Sequence, residues 1–87
     1  MDLSEISKAV EELEKDKALE LVQKALDEGV DPPEIINSGI VPGLQGVGKK
    51  FETEEYFLAE LMMGGKVSQA CMDLVEPHLP ATGSASA

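Results

Sequence analysis

Gly39, Pro42, Gly43, Gly46 and Gly48 crowd one short stretch of this chain. Intrinsic propensity reads the stretch as a loop, because an interior glycine costs a helix about 1 kcal/mol and a proline about 3. The apolar period contradicts that. At about 100° per residue, Ile36, Ile40, Leu44, Val47 and Phe51 fall within an arc of about 80°. Gly39, Gly43 and Gly46 line the neighbouring strip, where bare backbone would let another segment approach closely. The period is the more informative signal. It predicts two helical pieces, or one helix kinked near Gly39 to Pro42, ending around Phe51.

The flanking segments carry helical spacing too. A first helix is expected from about Leu3 to Glu14, with Leu3, Ile6, Val10 and Leu13 on one side and Ser4 as N-cap. Glu5, Lys8, Glu11 and Glu12 take its other face. Asp16 can cap a second helix running to Glu28, with Ala18, Leu21, Val22, Ala25 and Leu26 as its stripe and Gly29 at C′. The short break predicts an antiparallel hairpin. Asp31-Pro32 pairs a capping residue with proline at the first helical position and opens the third segment. Glu52 to Tyr56 read as an acidic turn, and a fourth helix follows from about Phe57 to His78 or Leu79. No run alternates cleanly enough for a strand. The expectation is an all-α four-helix bundle over residues 1–79, with 80–87 a flexible tail or the start of an interdomain linker.

The fourth helix has an apolar patch beyond what a core stripe needs. Met63, Val67, Ala70, Cys71 and Leu74 cluster as its predicted core side. Leu58, Leu61 and Met62 sit nearly opposite, and further along that face come Gln69, Asp73 and Glu76. The second face is thus apolar only in its first turn and a half, with Phe57 just ahead of it. These side chains could pack under the preceding turn or against the first helix. They could instead form a docking tip for a flat apolar ligand or a partner surface, with Gly64 and Gly65 beside it allowing close approach.

Composition narrows the chemistry. With 17 acidic and 7 basic residues the formal charge is -10. That argues against nucleic acid and anionic membrane, which demand a basic face. Trp is absent and Tyr56 is the sole tyrosine, so no aromatic base-stacking platform is expected. One cysteine and one histidine exclude an internal disulfide, a catalytic triad and a multi-histidine metal site within the chain. No signal sequence or membrane span is apparent, and a lone thiol fits a reducing, cytoplasmic setting. Gly43-Leu44-Gln45-Gly46-Val47-Gly48-Lys49-Lys50 nearly spells a phosphate-binding loop. However, Lys50 stands where Ser or Thr should hold magnesium, and no strand precedes it. Cys71 falls on the core stripe and reads as buried and inert. His78, the Glu54/Glu55 pair, Lys49 and Lys50 read as solvated surface. No catalytic or metal-ligating residue is assigned.

Four stretches in register resemble a known family. They are Leu26-Asp27-Glu28-Gly29-Val30-Asp31-Pro32, Glu34-Ile35-Ile36-Asn37-Ser38-Gly39-Ile40-Val41-Pro42-Gly43, Val47-Gly48-Lys49-Lys50-Phe51-Glu52 and Tyr56-Phe57-Leu58-Ala59-Glu60-Leu61-Met62-Met63. Together they are similar to the N-terminal helical cap domain of cobalamin-dependent methionine synthase and of corrinoid methyl-carrier proteins, over about residues 3 to 79. The resemblance implies a lid over the upper, methyl-bearing face of a cobalamin held by a downstream Rossmann-like domain. It implies cofactor contacts from Phe57, Leu58, Leu61 and Met62, as apolar residues rather than catalysts. It also implies substrate and acceptor methyltransferases as partners, within a corrinoid-dependent methyltransferase system. Ala59 replaces the proline usual in the family's Phe-Leu-Pro-Glu-Leu stretch. The family's cobalt-ligating Asp-x-His-x-x-Gly motif is not in this sequence, and His78 in Glu76-Pro77-His78-Leu79 does not match it. This chain alone is therefore not expected to bind cobalamin tightly. The alternative is a free-standing module that self-associates, as a homodimer, or docks on another protein through the Phe57/Leu58/Leu61/Met62 patch. A light-sensing or regulatory cap is a third reading that nothing in the sequence favours.

Overall fold

The computed structural model describes residues 2–79, so the expected tail at 80–87 lies outside the described residues. Helix α1 spans Ser4–Glu11 and α2 spans Lys15–Asp27. A short α3, Pro32–Ile35, runs through a π turn, Ile36–Ile40, into α4, Val41–Glu52. Helix α5, Leu58–Val75, ends in a 3-10 turn, Glu76–His78. Counting α3, the π turn and α4 as one interrupted rod, the molecule is a four-helix bundle. Helix α1 packs on α2 and α4, and α5 packs on the same two, which closes the ring.

The helix ends differ in detail from the sequence expectation. The cap of α1 comes from Asp2, whose carboxylate accepts from the Ser4 amide at 2.9 Å and the Ser4 hydroxyl at 2.7 Å. These bonds, the hydroxyl's first, hold the Asp2 carboxyl below the usual carboxylate range. Ser4 is thus the first helical residue rather than the cap. Helix α2 starts one residue before Asp16, which places that carboxylate in the first turn beside the positive end of the helix dipole. Gly29 takes φ 85° and stops α2, as a C′ glycine does.

The interruption expected near Gly39 to Pro42 takes the form of the π turn. Pro42 has no N–H and its ring crowds the carbonyl one turn back, so the regular ladder cannot pass through it. The wider turn absorbs that mismatch. The Ser7 hydroxyl of α1 donates to the Gly39 carbonyl at 2.7 Å, supplying a partner from the neighbouring helix.

Small branched side chains fill the core: Ile6 and Val10 from α1, Val22 from α2, Ile35 and Ile40 from the rod, and Val67, Cys71 and Val75 from α5. Glycines set how closely the helices meet. A Cβ at Gly43 would lie 2.7 Å from both the Ser7 carbonyl and Val10, and one at Gly64 would lie 2.7 Å from Val47. The buried line of α4 therefore runs through Gly43 and Val47. Leu44 and Phe51, members of the same apolar stripe as Val47, are 39% and 40% exposed. The buried line of α5 runs through Gly64, Val67, Ser68, Cys71 and Val75, rotated by about 70° from the expected stripe. Met63, expected inside, is 49% exposed.

Candidate functional site

The site is built on the connection between α4 and α5. Tyr56 and Glu55 donate their backbone N–H groups to the Lys50 carbonyl at 3.0 and 2.9 Å, and the Thr53 hydroxyl donates to the same oxygen at 3.2 Å. Glu54 adopts φ 66°, which turns the chain back. The Tyr56 hydroxyl donates to the Glu11 carbonyl at 2.8 Å and so ties the turn to the end of α1. Lys50 reaches the Glu11 carboxylate at 3.3 Å and stands 5.0 Å from the centre of the Tyr56 ring. Desolvation pushes the Lys50 amine down, but the hydrogen bond to Glu11 and the nearby Tyr56 and Glu11 charges outweigh it, and the amine is held above its ordinary value. Lys50 is thus a half-buried anchor, not the solvated helix end its sequence context suggests.

Pinned on its inner side, the turn presents its outer side to solvent. Phe57 is the N-cap of α5 in extended backbone, and its N–H donates to the Glu60 carboxylate at 3.0 Å. Phenylalanine has no acceptor to return that bond, so the cap is one-sided. This contact starts α5 without the proline usual two residues on. Phe57, Leu58 and Met62 are 66%, 62% and 59% exposed, and Leu61 is half-buried. Packing under the preceding turn or α1, the bland alternative, does not account for such exposure.

Helix α4 adds to this patch in a way the sequence reading missed. Helices α4 and α5 pack together and are joined only by residues 53–57, so they run antiparallel. Their contact line passes through Val47 and Gly64. At about 100° per residue, Leu44 and Phe51 lie about 40–60° round α4 from Val47. Leu61 and Leu58 lie about 60–120° round α5 from Gly64 in the same sense. On an antiparallel pair, equal senses of rotation reach the same side. Leu44 and Phe51 therefore continue the Leu58/Leu61 patch across both helices. Exposed acidic residues, Glu52, Glu54 and Glu55, border the strip. A signal was available in principle: the same glycines that admit α1 turn Leu44 and Phe51 outward.

The arrangement offers contact rather than acid–base chemistry. Among the described residues no group of three or more His, Cys, Asp or Glu side chains could hold a metal ion. Burial pushes the Cys71 thiol up to about 11, which leaves it protonated near neutrality. His78 lies at the opposite end of α5, beside Asp31, Glu34, Asn37 and Ser38 in an open cleft. No helix among the described residues is long and apolar enough to cross a membrane.

The family described as B12 binding domain matches residues 3–76, and the chain belongs to it. Among curated relatives, the monomethylamine corrinoid protein 1 of Methanosarcina mazei is 44% identical over 62 residues, covering 71% of this chain and 28% of that protein. The dimethylamine corrinoid protein 3 of Methanosarcina acetivorans is 40% identical over 79 residues, covering 91% of this chain and 37% of that protein. A corrinoid protein of Desulfitobacterium hafniense is 32% identical over 81 residues, covering 93% of this chain and 38% of that protein. The chain thus spans about a third of the length of such relatives. No solved structure matches it. Fold and family together make it a cobalamin-related helical cap domain.

Proposed function

We propose that this bundle is the lid of a corrinoid methyl carrier, closing over the methyl-bearing face of a cobalamin held by a separate Rossmann-like domain. The observation that carries the reading is the apolar patch at the α4–α5 end, exposed although nothing in the bundle requires it. Phe57, Leu58, Leu61 and Met62 are the assigned contacts. They suit the group: a corrin presents a flat, largely apolar face, and these side chains offer it apolar area. Bound cobalamin supplies the methyl-carrying cobalt. This chain's residues exclude water and oxidants from it and leave when access is needed. Substrate and acceptor methyltransferases are the partners that such access would serve. The methylamine corrinoid proteins named above support a place in a methyltransferase system.

Phe57→Ala tests the reading in the polypeptide that joins this chain to a cobalamin-holding domain. A looser lid should release the methyl radical more readily, so photolysis of bound methylcobalamin is expected to quicken severalfold. An unchanged rate removes Phe57 from the contact. The second reading, self-association through the same patch, rests on the same exposure and is argued at the scale of the whole molecule below.

A further inference from the structure

Sulfur is distributed unevenly over this bundle. The chain has four methionines and one cysteine. Cys71 has no exposure, and burial pushes its thiol up to about 11, so it offers neither access nor thiolate near neutrality. Met72 is half-buried and packs against the core. Met62 and Met63 differ. They are neighbours on α5 and are 59% and 49% exposed, which makes them the sulfurs open to solvent among the described residues. Helix propensity does not ask for sulfur there, since leucine, lysine or glutamate serves such a position as well.

The two methionines face different ways. At about 100° per residue, Met62 lies about 40° round α5 from Leu58, and Met63 lies a further 100° or so away from it. Met62 belongs with the tip contacts, and Met63 stands outside them. We propose that Met62 is an oxidation site, and that its conversion to the sulfoxide by a hydroperoxide holds the lid open. This rests on the lid reading and adds a chemical release to it. The thioether sulfur attacks the outer oxygen of the hydroperoxide. The oxygen–oxygen bond breaks and a sulfur–oxygen bond forms. The remaining oxygen takes up the hydroperoxide's proton and leaves as water or an alcohol. Sulfur gives up two electrons, and the peroxide takes them. The product is a polar side chain where an apolar one stood. Pressed against an apolar face, its oxygen forfeits hydration without gaining a donor. A closed lid covers Met62, so the reaction belongs to the open state and its product favours that state. Met63 reacts beside it and leaves the contact untouched.

Hydrogen peroxide followed by peptide mass mapping tests this. In the 87-residue chain, Met62 and Met63 should each gain one oxygen at least about fivefold faster than Met72. The Tm of the oxidised chain should stay within about 2 °C of the parent, because both side chains lie outside the core. Equal rates at Met62 and Met72, or a larger fall in Tm, overturn the proposal. In the polypeptide that joins this chain to a cobalamin-holding domain, bound methylcobalamin should slow oxidation at Met62 by about fivefold or more and spare Met63 that protection. A Met62 that stays unprotected overturns the lid reading, and the proposal with it. The same polypeptide, oxidised first and loaded afterwards, should photolyse its methylcobalamin severalfold faster, and a thiol-driven sulfoxide reductase should restore the original rate. Met62→Leu removes the sulfur and keeps an apolar side chain, so peroxide should no longer alter its photolysis rate, whatever that rate is at the start. Met63→Leu should respond to peroxide as the parent does. Protection of Met62 without any change in photolysis after oxidation overturns the release and leaves the lid reading standing. So does a Met62→Leu variant that still responds to peroxide.

Discussion

Cys71 has no exposure, and burial moves its thiol from 9.0 to about 11. Above pH 9.0 the unfolded chain loses this proton while the folded chain keeps it, so stability falls with pH until the folded value of about 11 is passed. The loss amounts to roughly 3 kcal/mol across that window. The raised amine of Lys50 acts in the same direction. Its contribution is complete below the ordinary 10.5 and disappears as pH rises through the folded value. Urea unfolding at a series of pH values should therefore show a steep alkaline decline, with a shallower slope in Cys71→Ala. Iodoacetamide at pH about 8 should label Cys71 at least a hundredfold more slowly in the native chain than in the urea-unfolded one. Rapid native labelling would mean that α5 opens locally. Tyr56→Phe removes only the hydroxyl that meets the Glu11 carbonyl and should cost about 1–2 kcal/mol in urea unfolding. A loss near zero would show that the turn is held by its backbone bonds to Lys50 alone.

At the scale of elements, the glycines decide both the packing and its legibility. Gly43→Ala would set a methyl 2.7 Å from the Ser7 backbone carbonyl, which cannot yield as a side-chain tip can. A loss of about 1–3 kcal/mol is expected. A variant as stable as the parent in thermal unfolding would mean that α1 and α4 are free to slide apart. Four helical segments were readable from the 3.6-residue period, and so was the interruption before Pro42, because period and proline are local properties. The direction of burial was not. The period averages over apolar residues and cannot register that Gly43 and Gly64 draw neighbouring helices toward themselves. For that reason Met63, expected inside, lies outside, and Leu44 and Phe51 lie outside although they share a stripe with buried Val47. The Ser7 bond into the π turn and the Lys50–Glu11–Tyr56 contacts join residues some 30 to 45 apart in sequence and have no local signature. The tip at Phe57 to Met62 was legible because its apolar run stops abruptly at Gln69. The half of the strip on α4 was not, since Leu44 and Phe51 share one apolar arc with Ile36, Ile40 and Val47.

For the whole molecule, two opposed forces act on the exposed face. Its apolar side chains favour pairing with another copy, whereas a formal charge of -10 on an 87-residue chain repels any copy that approaches. Glu52 at the end of α4 and Glu54 and Glu55 in the turn are exposed beside Phe57, so the repulsion is strong where the patch is. Salt weighs on one force alone. The Debye length is about 30 Å at 0.01 M and falls to about 10 Å at 0.1 M, while apolar contact is not screened. Sedimentation should accordingly show a monomer at low salt and reversible self-association at about 0.5 M salt and high protein concentration, through the face that cobalamin would otherwise cover. Phe57→Ser should abolish that association and leave the Tm within about 2 °C, because Phe57 is 66% exposed and outside the core. A strict monomer under all these conditions would count against self-association and leave the lid contact as the use of the patch. Association that persists in Phe57→Ser would place the dimer contact elsewhere on the bundle.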